Sequence, residues 1–539
     1  MSVIDMTTSV VWPALYVLLG VVLIKVFYDL SRKRNSLPLP PGPKGLPLLG
    51  NLTDLPTGDV PEFQHWLKHK DAYGPISSVT VLGQTMILIH DAKIAHELLV
   101  ERANIHSGRP KLKFGFDLVG WNKPMAGQQC DSIFKLYRKY THQQLGSKAS
   151  VARYNQVQET AVGRFLWRVK QDNGTALTQH LKTEAGELIL KVVYDYTIEP
   201  FESDTLVDLV DQAMEQFSEA TIPGRWMVDI FPFLEHIPSW VPGTGFQKTA
   251  AAWNKTLMAV ADIPYAYAKQ QGKNKQTSHA DFVTKSIEQA QQEKMLDATD
   301  EHAIKWAAAS MYLGGADTSV STMNAFFLAM SMFPEVQRKA QEELDRLIGN
   351  TRLPTHADRD NLPYLNAIVE EAQRWHPIAP MGLPHATDRE DSINGYRIPK
   401  GSLLLPAIWW FTRDPAIYHD PESFKPERFL SPLNEPAATS FTFGFGRRIC
   451  PGRVLADASL FLAFAQSLAV FNISKQVDEQ GKVVEPTHEF MGGIVAYPKA
   501  FGVRVTPRSH KHAEMIEQVV RRYPWQKSDA GYLSKALIF

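Results

Sequence analysis

Cysteine is scarce in this chain, which has two in 539 residues. That excludes a disulfide framework and fits a reducing compartment. It also excludes a cysteine-rich zinc site, and no nearby pair of histidines completes one around either thiol. Net charge is missing too: 57 basic residues balance 57 acidic ones, so nothing points to nucleic acid as a partner. There is no Gly-x-Gly-x-x-Gly at a strand-to-helix turn, hence no dinucleotide loop. Internal repeats and low-complexity tracts are absent, which excludes a solenoid.

What is present centres on Phe443 to Gly452, Phe-Gly-Phe-Gly-Arg-Arg-Ile-Cys-Pro-Gly. A lone cysteine is by default a small buried hydrophobe. Here Cys450 ends a glycine-rich loop, and the run from Gly452 to Val470 reads as a buried helix. Pro451 is then expected at the first helical position, with Cys450 at the cap, where unpaired N–H groups and the helix dipole lower a thiol's pKa. Such a thiolate is a metal ligand, and haem iron needs only one from the protein. Gly444 and Gly446 permit a tight turn, and Gly452 lets the helix approach a flat macrocycle. Phe443 can cover the sulfur from water, and Arg448 is placed to pair with a haem propionate.

The spacing Phe-x-x-Gly-x-Arg-x-Cys-x-Gly resembles the haem-binding signature of the cytochrome P-450 monooxygenases, with every fixed position matched. The resemblance implies a mainly α fold with small β sheets, an α+β arrangement behind an N-terminal transmembrane helix. It implies haem b (iron protoporphyrin IX) with Cys450 as its axial ligand. Its other motifs occur in order. Gly314-Gly315-Ala316-Asp317-Thr318 interrupts a helical pattern running from Ala303 to Phe333. Adjacent glycines weaken a helix, and they serve either close packing or a kink over the iron. In the second case Thr318 donates a hydrogen bond to dioxygen and Asp317 relays protons from solvent.

Glu371 and Arg374, at i and i+3, are by spacing alone a surface ion pair. The resemblance makes them a buried structural triad with Arg428 of Pro426-Glu427-Arg428-Phe429. It also makes His385 a propionate partner and has Pro377 to Leu383 line the substrate pocket. Arg138 can reach a propionate, but Phe134 stands where the family usually has tryptophan, so an indole N–H donor is lost. The loop Ser107 to Gln129 covers the haem and touches substrate. Within it Arg109 is either a further propionate partner or a solvated surface arginine.

The amino-terminal run Met6 to Ile24 carries no charge and is long enough to span a bilayer at about 1.5 Å per residue. A retained anchor is favoured over a signal peptide, because there is no basic n-region and no small-residue cleavage site. Arg32, Lys33 and Arg34 then hold the following body on the cytosolic side, as in a single-pass endoplasmic reticulum protein. Leu37 to Gly50 is a proline-rich stiff spacer. The expected organisation is an anchor over 1–30, a basic and proline-rich hinge over 31–50, the haem-thiolate domain over 51–507 and a polar extension over 508–539. Within the body, Val60 to Ala72 reads as helix and Ile76 to His90 as a strand hairpin. Val151 to Ala290 reads as amphipathic scaffold helices, and Phe471 to Val505 as terminal strands. The apolar, proline-broken stretch Ala220 to Phe246 would dip into lipid or line an access channel. Its wording resembles fungal family members of secondary metabolism.

The resemblance implies a monooxygenase placing one atom of O2 in a hydrophobic small molecule. With no flavin domain in the chain, electrons come from an NADPH-cytochrome P-450 reductase, with cytochrome b5 as a further donor. Arg447 and Arg453 lie on the docking face. A haem-thiolate isomerase or dehydratase is the rival within the fold, disfavoured by the intact Asp317-Thr318 pair. A haem sensor or lipid carrier is the rival from another class, separable by NADPH-dependent oxygen consumption.

Overall fold

The computed structural model describes residues 20, 37–58, 60–222, 224–273 and 281–536. The expected anchor therefore lies almost wholly outside the described residues. The longer helices are α1 (Glu62–Tyr73), α2 (Ser132–Leu145), α3 (Asn155–Asp172), α4 (Leu177–Tyr194), α5 (Thr205–Ala220), α6 (Gly245–Lys273), α7 (Phe282–Glu293), α8 (Ala298–Met332), α9 (Pro334–Leu347), α10 (Pro363–Trp375), α11 (Arg453–Val470) and α12 (His510–Arg522). Local chemistry sets several of their starts. Asp131, Asp204 and Asp297 are N-caps whose carboxylates accept from the first-turn N–H groups of α2, α5 and α8. Pro334 and Pro363 open α9 and α10.

The β structure is small. β1 (Ile76–Val81) and β2 (Gln84–Ile89) form the expected hairpin; β3 (His385–Ala386), β4 (Asp391–Ile393), β5 (Tyr396–Ile398) and β6 (Leu403–Pro406) follow α10, and β7 (Phe471–Lys475) pairs with β8 (Val503–Pro507). The main sheet has the order β1-β2-β6-β3, with β2 and β6 parallel. The proline-rich segment is non-helical as expected, but it is no free-standing spacer. Pro41 accepts from Ser78 N at 2.9 Å, Pro40 from Ser78 Oγ at 2.6 Å and Pro38 from Arg397 N at 2.8 Å, so it is laid against β1 and β5.

Helix α8 is the spine of the molecule. Its first half, including Ala303 to Tyr312, packs in one apolar cluster, and Val320 to Met330 packs in a second with α3, α10 and α11. A helix apolar on every side is a buried one. The glycine pair does not break it, because packing on both halves outweighs a propensity loss of about 1 kcal/mol per glycine. Among the described residues only α11 is apolar and long enough to cross a bilayer, and it is mostly buried in the protein.

The carboxyl-terminal extension has a role that its composition did not disclose. Helix α12 packs on α3, where a Cβ at Gly163 would collide with Val519. Beyond it, Trp525 covers the guanidinium groups of Arg164 and Arg168 at 4.7 and 5.2 Å. Both arginines pair with Glu187, and Arg164 also donates to Pro524 O at 3.0 Å. Glu184 is buried beside this group. Burial, with the Glu187 charge adding to it, pushes its pKa up to about 8. The native state thus favours the protonated form, so this contribution is intact below the ordinary glutamate value and is lost as pH rises towards about 8. We expect the melting temperature of Glu184→Gln to fall less than that of the wild type over this interval. Parallel pH profiles for the two proteins would refute the assignment.

Candidate active site

Cys450 sits half-buried at the end of a short loop. Its N–H donates to Phe443 O at 2.8 Å, which closes the loop on itself. Gly444 and Gly446 both have positive φ, at 79° and 51°. A Cβ at Gly446 would also strike Leu99 O, so glycine is required there on two counts. Two expectations need correction. Helix α11 begins at Arg453 with Gly452 as N-cap, so Pro451 and Gly452 form a turn between Cys450 and the helix. The thiol pKa is raised: burial outweighs the hydrogen bonds from Gly452 and Arg453 and the charge of Arg138. The loop thus holds the sulfur in surroundings that favour the neutral thiol.

Three arginines lie alongside, Arg448 and Arg109 buried and Arg138 half-buried. Arg448 Nε donates to Ser107 O at 2.8 Å, while Nη2 is buried without a partner. Its guanidinium lies 4.3 Å from the centre of the Phe134 ring, so the residue that replaces tryptophan supports this arginine by its π face. Arg109 is wholly internal rather than solvated, donating to Ala126 O, Leu383 O and Pro384 O at 2.7 to 2.9 Å. Burial, with Arg448 adding to it, pulls its pKa down to about 9. Arg138 Nη1 donates to Ile449 O at 2.6 Å, next to the cysteine. None of these three arginines has a carboxylate ion-pair partner among the described residues. Uncompensated buried cations cost several kcal/mol each, so the site is built for an anionic group.

His385 stands in the same group, with Nδ1 2.8 Å from His106 O. Burial and then Arg109 lower its pKa to about 3, which keeps the ring neutral with its proton on Nδ1. Nε2 is then an acceptor, and it becomes a donor to a carboxylate only when an anion arrives to charge the ring.

Helix α8 carries the glycine pair, and the two glycines do different things. A Cβ at Gly315 would lie 2.8 Å from Ile189 of α4, so this glycine serves close packing. A Cβ at Gly314 would meet nothing within 4 Å. Gly314 is exposed in the middle of a buried helix, which marks open space beside it. Thr318 Oγ1 donates back to Gly314 O at 2.7 Å. Asp317 is half-buried, and its carboxylate accepts from Tyr497 Oη. Burial raises its pKa and the Tyr497 hydrogen bond opposes that rise.

Glu371, Arg374 and Arg428 meet with no side-chain exposure at all. Arg374 donates to Glu371 through Nε at 2.7 Å and Nη2 at 2.9 Å, and Arg428 Nε lies 3.0 Å from the same carboxylate. Sequence reasoning missed two members. Lys425 N donates to Glu371 Oε1 at 2.6 Å, and Glu435 accepts from Arg428 Nη1 at 2.7 Å. It missed Tyr497 as well. No spacing rule links a tyrosine near the carboxyl terminus to α8, so these contacts required the fold. Among the described residues no cluster of three or more His, Cys, Asp and Glu side chains is placed to hold a bare metal ion.

The cytochrome P-450 family model matches residues 40–504. The chain is 44% identical to the cytochrome P-450 monooxygenase claR of Ampulloclitocybe clavipes, covering 96% of this chain and 95% of the relative. It is 44% identical to the cytochrome P-450 monooxygenase CLM2 of Gibberella zeae, with 94% and 96% covered. It is 39% identical to the O-methylsterigmatocystin oxidoreductase of Aspergillus flavus, with 94% of each covered. The chain therefore belongs to the cytochrome P-450 family and is a monooxygenase, for which the family implies haem iron.

Proposed function

We propose that this monooxygenase oxidises a hydrophobic small molecule of secondary metabolism with electrons from an NADPH-dependent flavoprotein reductase, and that it is anchored in the endoplasmic reticulum membrane facing the cytosol. The observation that carries the cofactor assignment is the group of arginines without carboxylate partners beside Cys450, Arg448 and Arg109 buried and Arg138 half-buried. Cys450 would hold the haem iron through its sulfur, and Arg448, Arg109 and Arg138, with His385 beside them, would hold the propionates. Bound haem supplies the iron at which dioxygen is reduced. Across the reaction two electrons and two protons enter, one oxygen atom goes to the substrate and the other leaves as water.

The chain's own residues divide the remaining work. Thr318 is held by Gly314 O with its oxygen beside the open space at Gly314, ready to orient a proton donor. Asp317 stores a proton next to it, and burial favours the protonated form. The segment beyond α5 supports a membrane-facing or access role: Trp240 is 82% exposed and Phe233 63%. Arg447 and Arg453 are exposed on the cysteine side and suit an acidic redox partner.

The direct test follows the Soret band of the haem-loaded protein during titration with a panel of apolar metabolites. A shift from low to high spin with one chemical class identifies the substrate family. Absence of any NADPH- and reductase-dependent oxygen uptake with such a ligand would sink the oxidative reading. For the distal pair, we expect Thr318→Ala to lower product formation about a hundredfold, the low end of what general-acid assistance contributes. Oxygen consumption should continue and release hydrogen peroxide, measured in the same assay. Tight coupling in this variant would remove Thr318 from the proton path.

A further inference from the structure

Tyr497 lies in the segment before β8, 180 residues from Asp317, yet its hydroxyl meets that one residue twice. Oη hydrogen-bonds to Asp317 Oδ1 and lies 2.9 Å from the Asp317 main-chain oxygen. A phenol has one proton and cannot serve both oxygens at once. When Asp317 is ionised, the proton goes to the carboxylate, where the bond is charge-assisted. When Asp317 is protonated, its own O–H donates to Oη and the phenol turns to the carbonyl. Tyr497 Oη and Asp317 Oδ1 thus remain bonded to each other in either state.

We propose that Tyr497 is the positioning residue of Asp317, moving its single proton between the side-chain and main-chain oxygens so that the carboxyl stays fixed in both charge states. Asp317 can then take up and release a proton without changing rotamer. This rests on the reading of Asp317 as the proton store of the reaction.

The surroundings hold Tyr497 to that task. One turn along α8, Ser321 Oγ donates to Ala496 O at 2.6 Å and faces His376 Nε2 at 3.0 Å. Ala496 N donates to Ile378 O, and Tyr497 O accepts from Met491 N, each at 2.8 Å. The tyrosine backbone is thus pinned on both sides, with its ring packed against the apolar cluster of α8 and α11. Burial, then the Asp317 charge, hold the phenol far above its usual pKa, so it acts as a neutral donor throughout. The other charges facing the carboxyl are Asp211 of α5, which raises its pKa, and Lys182 of α4, which lowers it. These two form an ion pair at 2.8 Å, so their influences oppose each other. Burial and the phenol remain as the principal contest.

The test is made on the haem-loaded full chain. Infrared difference spectra isolate the C=O stretch of protonated Asp317 as the band lost in Asp317→Asn. In Tyr497→Phe, which keeps the ring and its packing, the band should persist to a pH about one to two units higher than in the wild type. Reducing equivalents should divert several-fold from product to peroxide, while the spin-state affinity for substrate is unchanged. Ser321→Ala removes the neighbouring tie between the same segment and the same helix, and should leave the band midpoint at the wild-type pH. An unmoved midpoint in Tyr497→Phe, or an equal shift in Ser321→Ala, overturns the proposal, the second by reducing Tyr497 to a structural tie. Asp317→Asn separates the underlying reading. If that variant stays coupled, Asp317 is no proton store, whatever Tyr497 does to its titration.

Discussion

Cys450→Ala yields a protein whose ferrous carbonyl complex lacks the thiolate-type Soret band. The expected loss is complete, because only the cysteine side chain offers sulfur at this position. The fold should survive. The substitution deletes one heavy atom, and the loop is shaped by its main chain: the Cys450 N–H bond to Phe443 O, positive φ at Gly444 and Gly446, and the fit of Gly446 against Leu99. The arginines proposed to hold the propionates are untouched, so haem should still bind, though more weakly. Haem content, the carbonyl difference spectrum and the melting temperature together decide the matter. A variant that kept the thiolate band would move the ligand to Cys130, the other cysteine of the chain.

The contrast between this loop and its surroundings shows what a sequence can carry. The cysteine, the glycines and Arg448 lie within ten residues, where main-chain geometry couples them directly, and their spacing alone was informative. The same closeness misled in one respect. Proline after cysteine implied a helix cap and a lowered thiol pKa, yet two residues intervene before α11, and burial, a property of the whole fold, reverses the shift. The glycine pair of α8 was legible as a pair, whereas the division of labour between Gly314 and Gly315 depends on where Ile189 of α4 arrives. The carboxyl-terminal extension read as polar because most of its residues are, although His512, Met515 and Ile516 give α12 a buried face. Trp525 finds its arginines on α3 only through long-range packing.

Glu371→Ala should be the most damaging single change outside the cysteine loop. Its carboxylate is fully buried and compensates two fully buried guanidinium groups while also accepting Lys425 N. Removing it leaves Arg374 with only the carbonyls of Thr412 and Ser423, and leaves Arg428 with Glu435 as its sole carboxylate beside the carbonyls of His419, Asp420 and Ser423. Breaking a buried ion pair from one side costs about 3–5 kcal/mol, a large share of a native stability of roughly 5–15 kcal/mol. The effect should reach the cofactor, because the segment that Arg428 ties down leads into the cysteine loop, and neighbouring Glu370 holds the start of that loop through Thr439 at 3.2 Å. We therefore expect Glu371→Ala to accumulate poorly, and to be largely haem-free where it does accumulate. Glu435→Gln gives the graded counterpart that should still fold. It keeps an acceptor for Arg428 at the partly exposed end of the network, and should lower stability by about 1–2 kcal/mol with haem retained. Urea midpoints and haem-to-protein ratios measure both. If Glu371→Ala holds haem at the wild-type ratio and unfolds within about 1 kcal/mol of it, the buried carboxylate is not what fixes the cysteine side of the fold.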